Sequence, residues 1–381
     1  MRIAILHEML IKLWGAEKVV ENWINIFPDA DIFTLIYDEK KVWKIFKKEK
    51  INSQVFDLKS QKNYKITKKQ RFSLSFMSQS IEKLDFSEYD VVLCSSSGFA
   101  HWAITKPETM FIVYYRSPAR YMWDWTNEYK KDLWLNFWWK KFFLRPYVNK
   151  QFYKLRQWDY IASNRVDISI ANSKNTQSRI QKYYKKDSIV LYPPVETQRF
   201  SQKIKEEYNL PFSKNNYYII ISALTEFKKI EIAIEGFNKL KDYNLAIIWD
   251  WNYKETLNNL IENENIKLLW AKYWNELVFL VQNSQWLIFP WEEDFWIVPI
   301  EVMAAWKPIF AYYWWWLTET VINNKTGNFF LNKNWTDFID CFKKFTKNNT
   351  NWLFKEKDCI QQAEKFDKNI FEKEILKIIK R

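Results

Sequence analysis

The fold is decided by Leu287 to Val321, LIFPWEEDFWIVPIEVMAAWKPIFAYYWWWLTETV. It reads as a short apolar strand, an acidic loop, a helix, a second apolar strand and another helix start. Strand, helix and strand in close succession are the unit of a parallel α/β sheet. Glu293 and Glu301 stand eight positions apart across the loop-to-helix junction. Tryptophan fills positions 291, 296, 306 and 314–316, where the backbone reading asks for small residues.

Trp306 shows why. It follows a helical run that closes at Ala305 and precedes Lys307-Pro308. A helix stop with proline two residues on places a left-handed residue past the cap, by preference glycine. A side chain with a Cβ costs about 1–2 kcal/mol there. Trp249-Asp250-Trp251 ends a strand where turn formers belong, and Trp314 to Trp316 make either a flexible turn or an exposed aromatic slab. The chain of 381 residues has 23 Trp and only 4 Gly, where average usage predicts roughly 27 glycines. Some bacterial lineages read UGA as glycine, while common alternative translation tables read it as tryptophan. Most of these tryptophans are therefore expected to stand for glycine, with Trp123, Trp125 and Trp158 genuine because they lie in aromatic or apolar context. UGG codons at 296, 306 and 314 would sink the idea.

Working outward, apolar runs alternate with helical patterns in both halves. Strands are expected at Arg2–Leu6, Ile32–Tyr37, Val91–Ser95, Phe111–Tyr115, Ile168–Ala171 and Ile189–Tyr192, then at Tyr217–Ser222, Leu245–Ile248, Ile266–Leu269, Leu287–Phe289, Ile309–Ala311 and, more weakly, Phe329–Leu331. This alternation predicts an α/β chain of two facing Rossmann-like domains with a cleft between them. Pro193-Pro194 closes the first, residues 1–195. The second covers 196–361, and a tail of one helix, 362–381, is expected to pack back on the first. Lys-rich residues 40–85 carry no firm pattern.

Composition narrows the class. A hydrophobic fraction of 48% with 27% charged residues describes a globular chain. No apolar run reaches membrane-spanning length, the start lacks a cleavable leader pattern, and Cys94, Cys341 and Cys359 form no disulfide framework or metal spacing, so a reducing cytoplasm is expected. The net charge of +13 reflects either AT-rich coding or attraction to an anionic partner, whether nucleotide sugar, acidic membrane or nucleic acid. Tyr129 to Lys150 reads either as a basic aromatic membrane-interface segment or, the reading preferred, as a plain amphipathic helix pair bridging two strands.

Five stretches, taken with tryptophan read as glycine, resemble the family 4 (group 1) glycosyltransferases of GT-B fold: Trp14 to Val19; Ile170 to Ser173 with Tyr192 to Val195; Ser222 to Leu224 with Phe227 to Lys229; Ile248 to Trp251; and the opening stretch. Glu293 and Glu301 match that family's Glu-x7-Glu signature, and Tyr114 to Asp124 (YYRSPARYMWD) looks most like its bacterial mannosyltransferase branch. The resemblance implies a retaining, metal-independent hexosyltransferase using a nucleotide-diphosphate sugar, GDP-mannose by branch, with a polysaccharide or lipid-linked acceptor. It needs no further cofactor and no nucleic acid, and it allows peripheral contact with an anionic membrane from the cytoplasmic side. Glu293, Lys228 and Arg116 are the implied catalytic residues. Trp14, Gly15, Ser222, Lys228, Asp250, Asp294, Phe295, Trp296, Ile297, Val298 and Glu301 are the implied donor-binding residues.

The chemistry is separable from the name. A diphosphate needs a cation and backbone N–H groups, which Lys228 and a helix start near Val298 supply. A ribose needs a carboxylate for its hydroxyls, a role the resemblance gives to Glu301, and the donor sugar needs a polar partner, a role it gives to Glu293. Two positions depart from the family: Ala223 stands where arginine is frequent, and Arg116 where the branch has histidine. His7 and His101 do not replace that histidine by position. A non-catalytic carbohydrate binder with tryptophan platforms, or a single-strand nucleic-acid binder, is the competing reading of the literal sequence.

Overall fold

The computed structural model describes residues 1–13, 15–68, 74–124, 126, 138–223, 226–250, 254–291, 297–314, 317–347 and 354–380. The chain divides into two compact units, Met1–Pro193 with Glu372–Arg381, and Pro194–Phe371.

The first unit is built on six strands: β1 Ile3–Leu10, β2 Asp31–Tyr37, β3 Val91–Ser96, β4 Met110–Tyr115, β5 Ile168–Ala171 and β6 Ile189–Val190. They lie in the order β2-β1-β3-β4-β5-β6, and every pairing is parallel. Their continuous apolar runs are what a sheet buried on both faces requires. Helices α1 (Gly15–Ile26), α2 (Trp138–Ser163) and α3 (Lys174–Tyr184) belong to this unit. The Ser173 hydroxyl caps α3 by accepting the Thr176 N–H, and Lys185 ends it with φ 55°.

The second unit repeats the plan. Its strands are β7 Tyr218–Ala223, β8 Leu245–Asp250, β9 Ile266–Leu269, β10 Leu287–Phe289, β11 Ile309–Tyr312 and β12 Gly327–Phe330, in the order β12-β11-β10-β7-β8-β9 and again all parallel. Helices α4 (Ile230–Lys239), α5 (Ile297–Ala304), α6 (Glu356–Glu364) and α7 (Lys368–Ile379) are the ones that matter below.

The α/β expectation holds, and every expected strand is present. Two details differ. First, β1 runs four residues beyond Leu6, because His7 and Glu8 are buried polar residues with partners and not the solvated end of a strand. Second, the tail is two helices. The chain breaks at Asp367, whose carboxylate accepts the Thr197 hydroxyl and the Asn369 N–H, while the backbone bridges to Val195. From Trp138 the basic aromatic segment is part of one long helix, α2, while residues 127–137, on which the expected helix pair partly falls, lie outside the described residues.

Each sheet has one place where strand order reverses. Successive strands leave in opposite directions from β1 and β3 in the first sheet, and from β7 and β10 in the second. The carboxyl ends of such a pair frame the crevice where doubly wound sheets take ligands.

Candidate functional site

In the second unit, the residues after β7 and β10 flank the reversal. Ser222 sits near the carboxyl end of β7, buried, its hydroxyl bonded to the Ala223 carbonyl at 3.1 Å. A single 3-10 turn, Glu226–Lys228, follows β7 and carries Lys228. Lys228 is only 8% exposed, and its ammonium stands 5.1 Å from the Trp291 ring centroid. In low-dielectric surroundings of this kind a cation acts on a ligand anion far more strongly than in water.

Beyond β10, the chain turns at Trp291, which is fully buried with its ring 4.0 Å from that of Phe289. Helix α5 begins at Ile297, with Val298 in its first turn and Glu301 half-buried one turn on. Its free N–H groups and dipole favour an anion at that end. Asp250 ends β8, in register with Ala223 of β7. The strand ends thus bring Ser222 and Asp250 together on neighbouring strands, and Lys228, Ile297, Val298 and Glu301 follow β7 and β10. Glu293, Asp294, Phe295, Trp296 and Trp14, and the side chain of Asp250, lie outside the described residues.

In the first unit, Gly15 is the first residue of α1. Below it, His7 Nε2 lies 3.9 Å from Glu17 Oε1, both buried. Burial pushes the Lys12 ammonium below its ordinary range, against the Glu17 carboxylate that raises it. Arg116 follows β4 directly. Its Nη2 donates to Glu8 Oε2 at 3.1 Å and to Ser97 Oγ at 2.9 Å.

Sequence reasoning missed the rest of this network. Glu8 Oε1 also accepts the Ser96 hydroxyl at 3.2 Å, and Ser96 Oγ is 3.2 Å from His101 Nδ1. On its other side, His101 Nε2 stands 3.2 Å from Asp159 Oδ1. Asp159, wholly buried on α2, accepts the indole N–H of Trp102 at 2.9 Å and of Trp123 at 2.7 Å, and the Tyr184 hydroxyl at 2.8 Å. His101 is therefore a core residue. The signal that was available is Glu8 itself, an acid within the apolar run that starts the first sheet.

The family model for Glycosyl transferases group 1 matches residues 201–366. Alpha-1,3/1,6-mannosyltransferase ALG2 of Dictyostelium discoideum is 26% identical over a match covering 47% of this chain and 52% of that protein. The chain spans about half the length of the curated relatives it matches. Among solved structures, sucrose-phosphate synthase from Thermosynechococcus elongatus superposes with a TM-score of 0.73 at 11% identity, covering 100% of this chain and 98% of that one. Anabaena HepE in complex with UDP gives 0.70 at 13%, with 100% of both covered. At such identities the likeness is one of fold, the GT-B class of paired Rossmann-like units. The match to the glycosyl transferases group 1 model, residues 201–366, falls within the second of these units.

Proposed function

We propose that the protein is a retaining glycosyltransferase, moving a hexose from a nucleotide-diphosphate sugar to a saccharide or lipid-linked acceptor. The observation that carries this reading is the reversal between β7 and β10 inside the matched segment, where buried Lys228 follows β7 and helix α5 follows β10. In the reaction, the bond from the sugar's anomeric carbon to the diphosphate breaks and its electron pair leaves with the phosphate oxygen. The acceptor hydroxyl oxygen bonds to that carbon, and its proton passes to the departing diphosphate. Lys228 and the α5 N–H groups stabilise the charge that develops on the leaving group. Glu301 holds the ribose hydroxyls, Glu293 the donor sugar, and Arg116 an oxygen near the reacting centre. No metal is assigned a role. Mannose, from GDP-mannose, is the proposed sugar; the mannosyltransferase name of a relative supports it. A cytoplasmic enzyme reaching lipid-linked acceptors at an anionic membrane fits the basic charge. Among the described residues no helix is long and apolar enough to cross a membrane.

The same reading takes most tryptophans as glycine. Two observations support it. Trp274 and Trp306 have φ of 53° and 56°, while no described glycine has positive φ. The Trp291 ring centroid stands 5.1 Å from the Lys228 ammonium, and glycine at 291 would leave that space open to the proposed diphosphate. Trp123, by contrast, stacks on Tyr183 with ring centroids 4.8 Å apart and donates to Asp159, as a genuine tryptophan does.

The test is donor hydrolysis and transfer across a panel of nucleotide sugars, using protein expressed with glycine at the UGA codons. GDP-mannose is expected to be turned over fastest, and Lys228→Ala to lower kcat by about 100-fold or more. Absence of turnover and of binding with every donor would overturn the enzyme reading, while salt-sensitive oligonucleotide binding in its place would favour a nucleic-acid partner.

A further inference from the structure

Glu8 is a charged residue inside the first sheet, and its surroundings account for each of its oxygens. Oε1 accepts the Ser97 N–H at 2.9 Å and the Ser96 hydroxyl at 3.2 Å; Oε2 accepts the Ser97 hydroxyl at 3.0 Å and Arg116 Nη2 at 3.1 Å. A Cβ on Gly98 would lie 3.1 Å from Oε1, so the absence of a side chain there leaves the carboxylate its place. Burial pushes the Glu8 carboxyl up, but Arg116, His7 and the Ser97 hydrogen bonds together hold it below the usual carboxylate range. The pair is therefore an ionised one, and breaking a buried pair from one side is costly.

Arg116 is the exposed end of this arrangement, with its side chain 20% accessible. Among the described residues, both of its side-chain hydrogen bonds are made by Nη2, while Nε is buried and makes none. An arginine side chain at a strand end has several rotatable bonds and samples many positions unless it is held. Here one nitrogen is held by two acceptors, both themselves fixed at the carboxyl ends of β1 and β3.

We infer that Glu8 is a positioning residue for Arg116, holding the guanidinium in one place at the carboxyl end of the first sheet so that its remaining N–H groups meet an anionic substrate oxygen. This rests on the glycosyltransferase reading, in which Arg116 stands near the reacting centre. Glu8 acts only through Arg116. It also offsets the arginine's charge, so the guanidinium orients an oxygen without trapping the leaving diphosphate.

The experiment is a double-mutant cycle with Glu8→Gln, Arg116→Gln and the pair, read as kcat and donor KM on whichever nucleotide sugar the wild type uses. Glu8→Gln is expected to lower kcat by about 10- to 100-fold, the scale of a misplaced group, with donor KM changed less than about threefold. The double variant is expected to be no slower than Arg116→Gln alone, and Glu8→Asp to recover part of the loss. Additive losses, or a Glu8→Gln enzyme with wild-type kcat, would overturn the inference. Should Glu8→Gln not fold, Glu8→Asp carries the same comparisons. A second readout is independent of turnover: the rate at which phenylglyoxal modifies Arg116, mapped by mass spectrometry. Release from Glu8 is expected to raise it at least about fivefold in the substituted protein, and an unchanged rate counts against positioning. If the wild type turns over no nucleotide sugar, the functional reading fails while the phenylglyoxal comparison still decides whether Glu8 holds Arg116.

Discussion

At the scale of single residues, Trp306 is where backbone and side chain disagree. Helix α5 ends in a Schellman turn: the Trp306 N–H donates to the Met303 carbonyl at 2.9 Å and the Lys307 N–H to the Val302 carbonyl at 3.1 Å. That closure requires a left-handed residue at 306, and Trp306 adopts φ 56°. The strain belongs to the Cβ and not to the indole, which gives a test free of packing effects. Trp306→Gly and Trp306→Ala both remove the ring, but only alanine keeps the Cβ. The glycine variant is expected to be more stable than the alanine variant by about 1 kcal/mol, seen in thermal denaturation as a Tm higher by about 2–4 °C. Equal stabilities would mean that the turn carries no strain, and the backbone argument for glycine would lose its clearest case. The left-handed turn was legible from Ala305, Lys307 and Pro308 because helix stops are local. The Glu8 network was not, since Ser96, Ser97 and Arg116 reach Glu8 from positions 88 to 108 residues away.

At the scale of elements, the link from α5 to β11 buries a charge. Lys307 follows the Schellman turn, and its ammonium donates to Asn215 Oδ1 at 3.3 Å. Burial pushes it down to about 8, with Lys214 adding to the depression and the Glu356 carboxylate opposing it. The sign follows from proton counting. Below about pH 8 the folded and unfolded chains both carry the proton, and the fold bears the full cost of burying it. Between about pH 8 and the ordinary lysine range near 10.5, the folded chain has released the proton and the unfolded chain has not, so stability rises with pH across that window. Lys307→Met removes this contribution. In urea titrations, the wild type is expected to gain more stability between pH 8 and 10 than the variant does; parallel curves would show that Lys307 remains hydrated. Elements also mark how far periodicity reaches. The inner strands were legible because their apolar runs are buried on both faces, as in β1, β3 and β10. The edge strands β6, β9 and β12 are only partly buried and carry shorter apolar runs. The break between α6 and α7 was not legible, because the tail's apolar spacing continues through Asp367, and what interrupts the helix is a bridge to Val195, far away in sequence.

At the scale of the whole molecule, helix α7 starts in the second unit and ends in the first, which takes residues Glu372–Arg381. The boundary therefore cuts a continuous helix, so the first unit is completed by the last residues of the chain. Three of them, Ile375, Ile378 and Ile379, are buried, and Asn22 on α1 donates to Glu372 Oε1 at 2.7 Å. At about 1.5–3 kcal/mol for each buried aliphatic side chain, the segment contributes roughly 5 kcal/mol or more to the first unit. That is comparable with the entire stability of many domains. A chain ending at Phe371 is thus expected to lose the first unit's fold while keeping the second's. Amide hydrogen exchange reads the two separately: protection in β1 to β6 is expected to collapse, and protection in β7 to β12 to persist. Loss in both would make the chain a single cooperative body; loss in neither would reduce the helix end to a surface appendage. The expected outcome also bears on function, because Lys228 and α5 would remain folded in the shortened chain while Arg116 and Glu8 would not. Donor nucleotide binding should then survive the truncation and transfer should not, which separates the residues proposed to hold the donor from those proposed to complete the reaction.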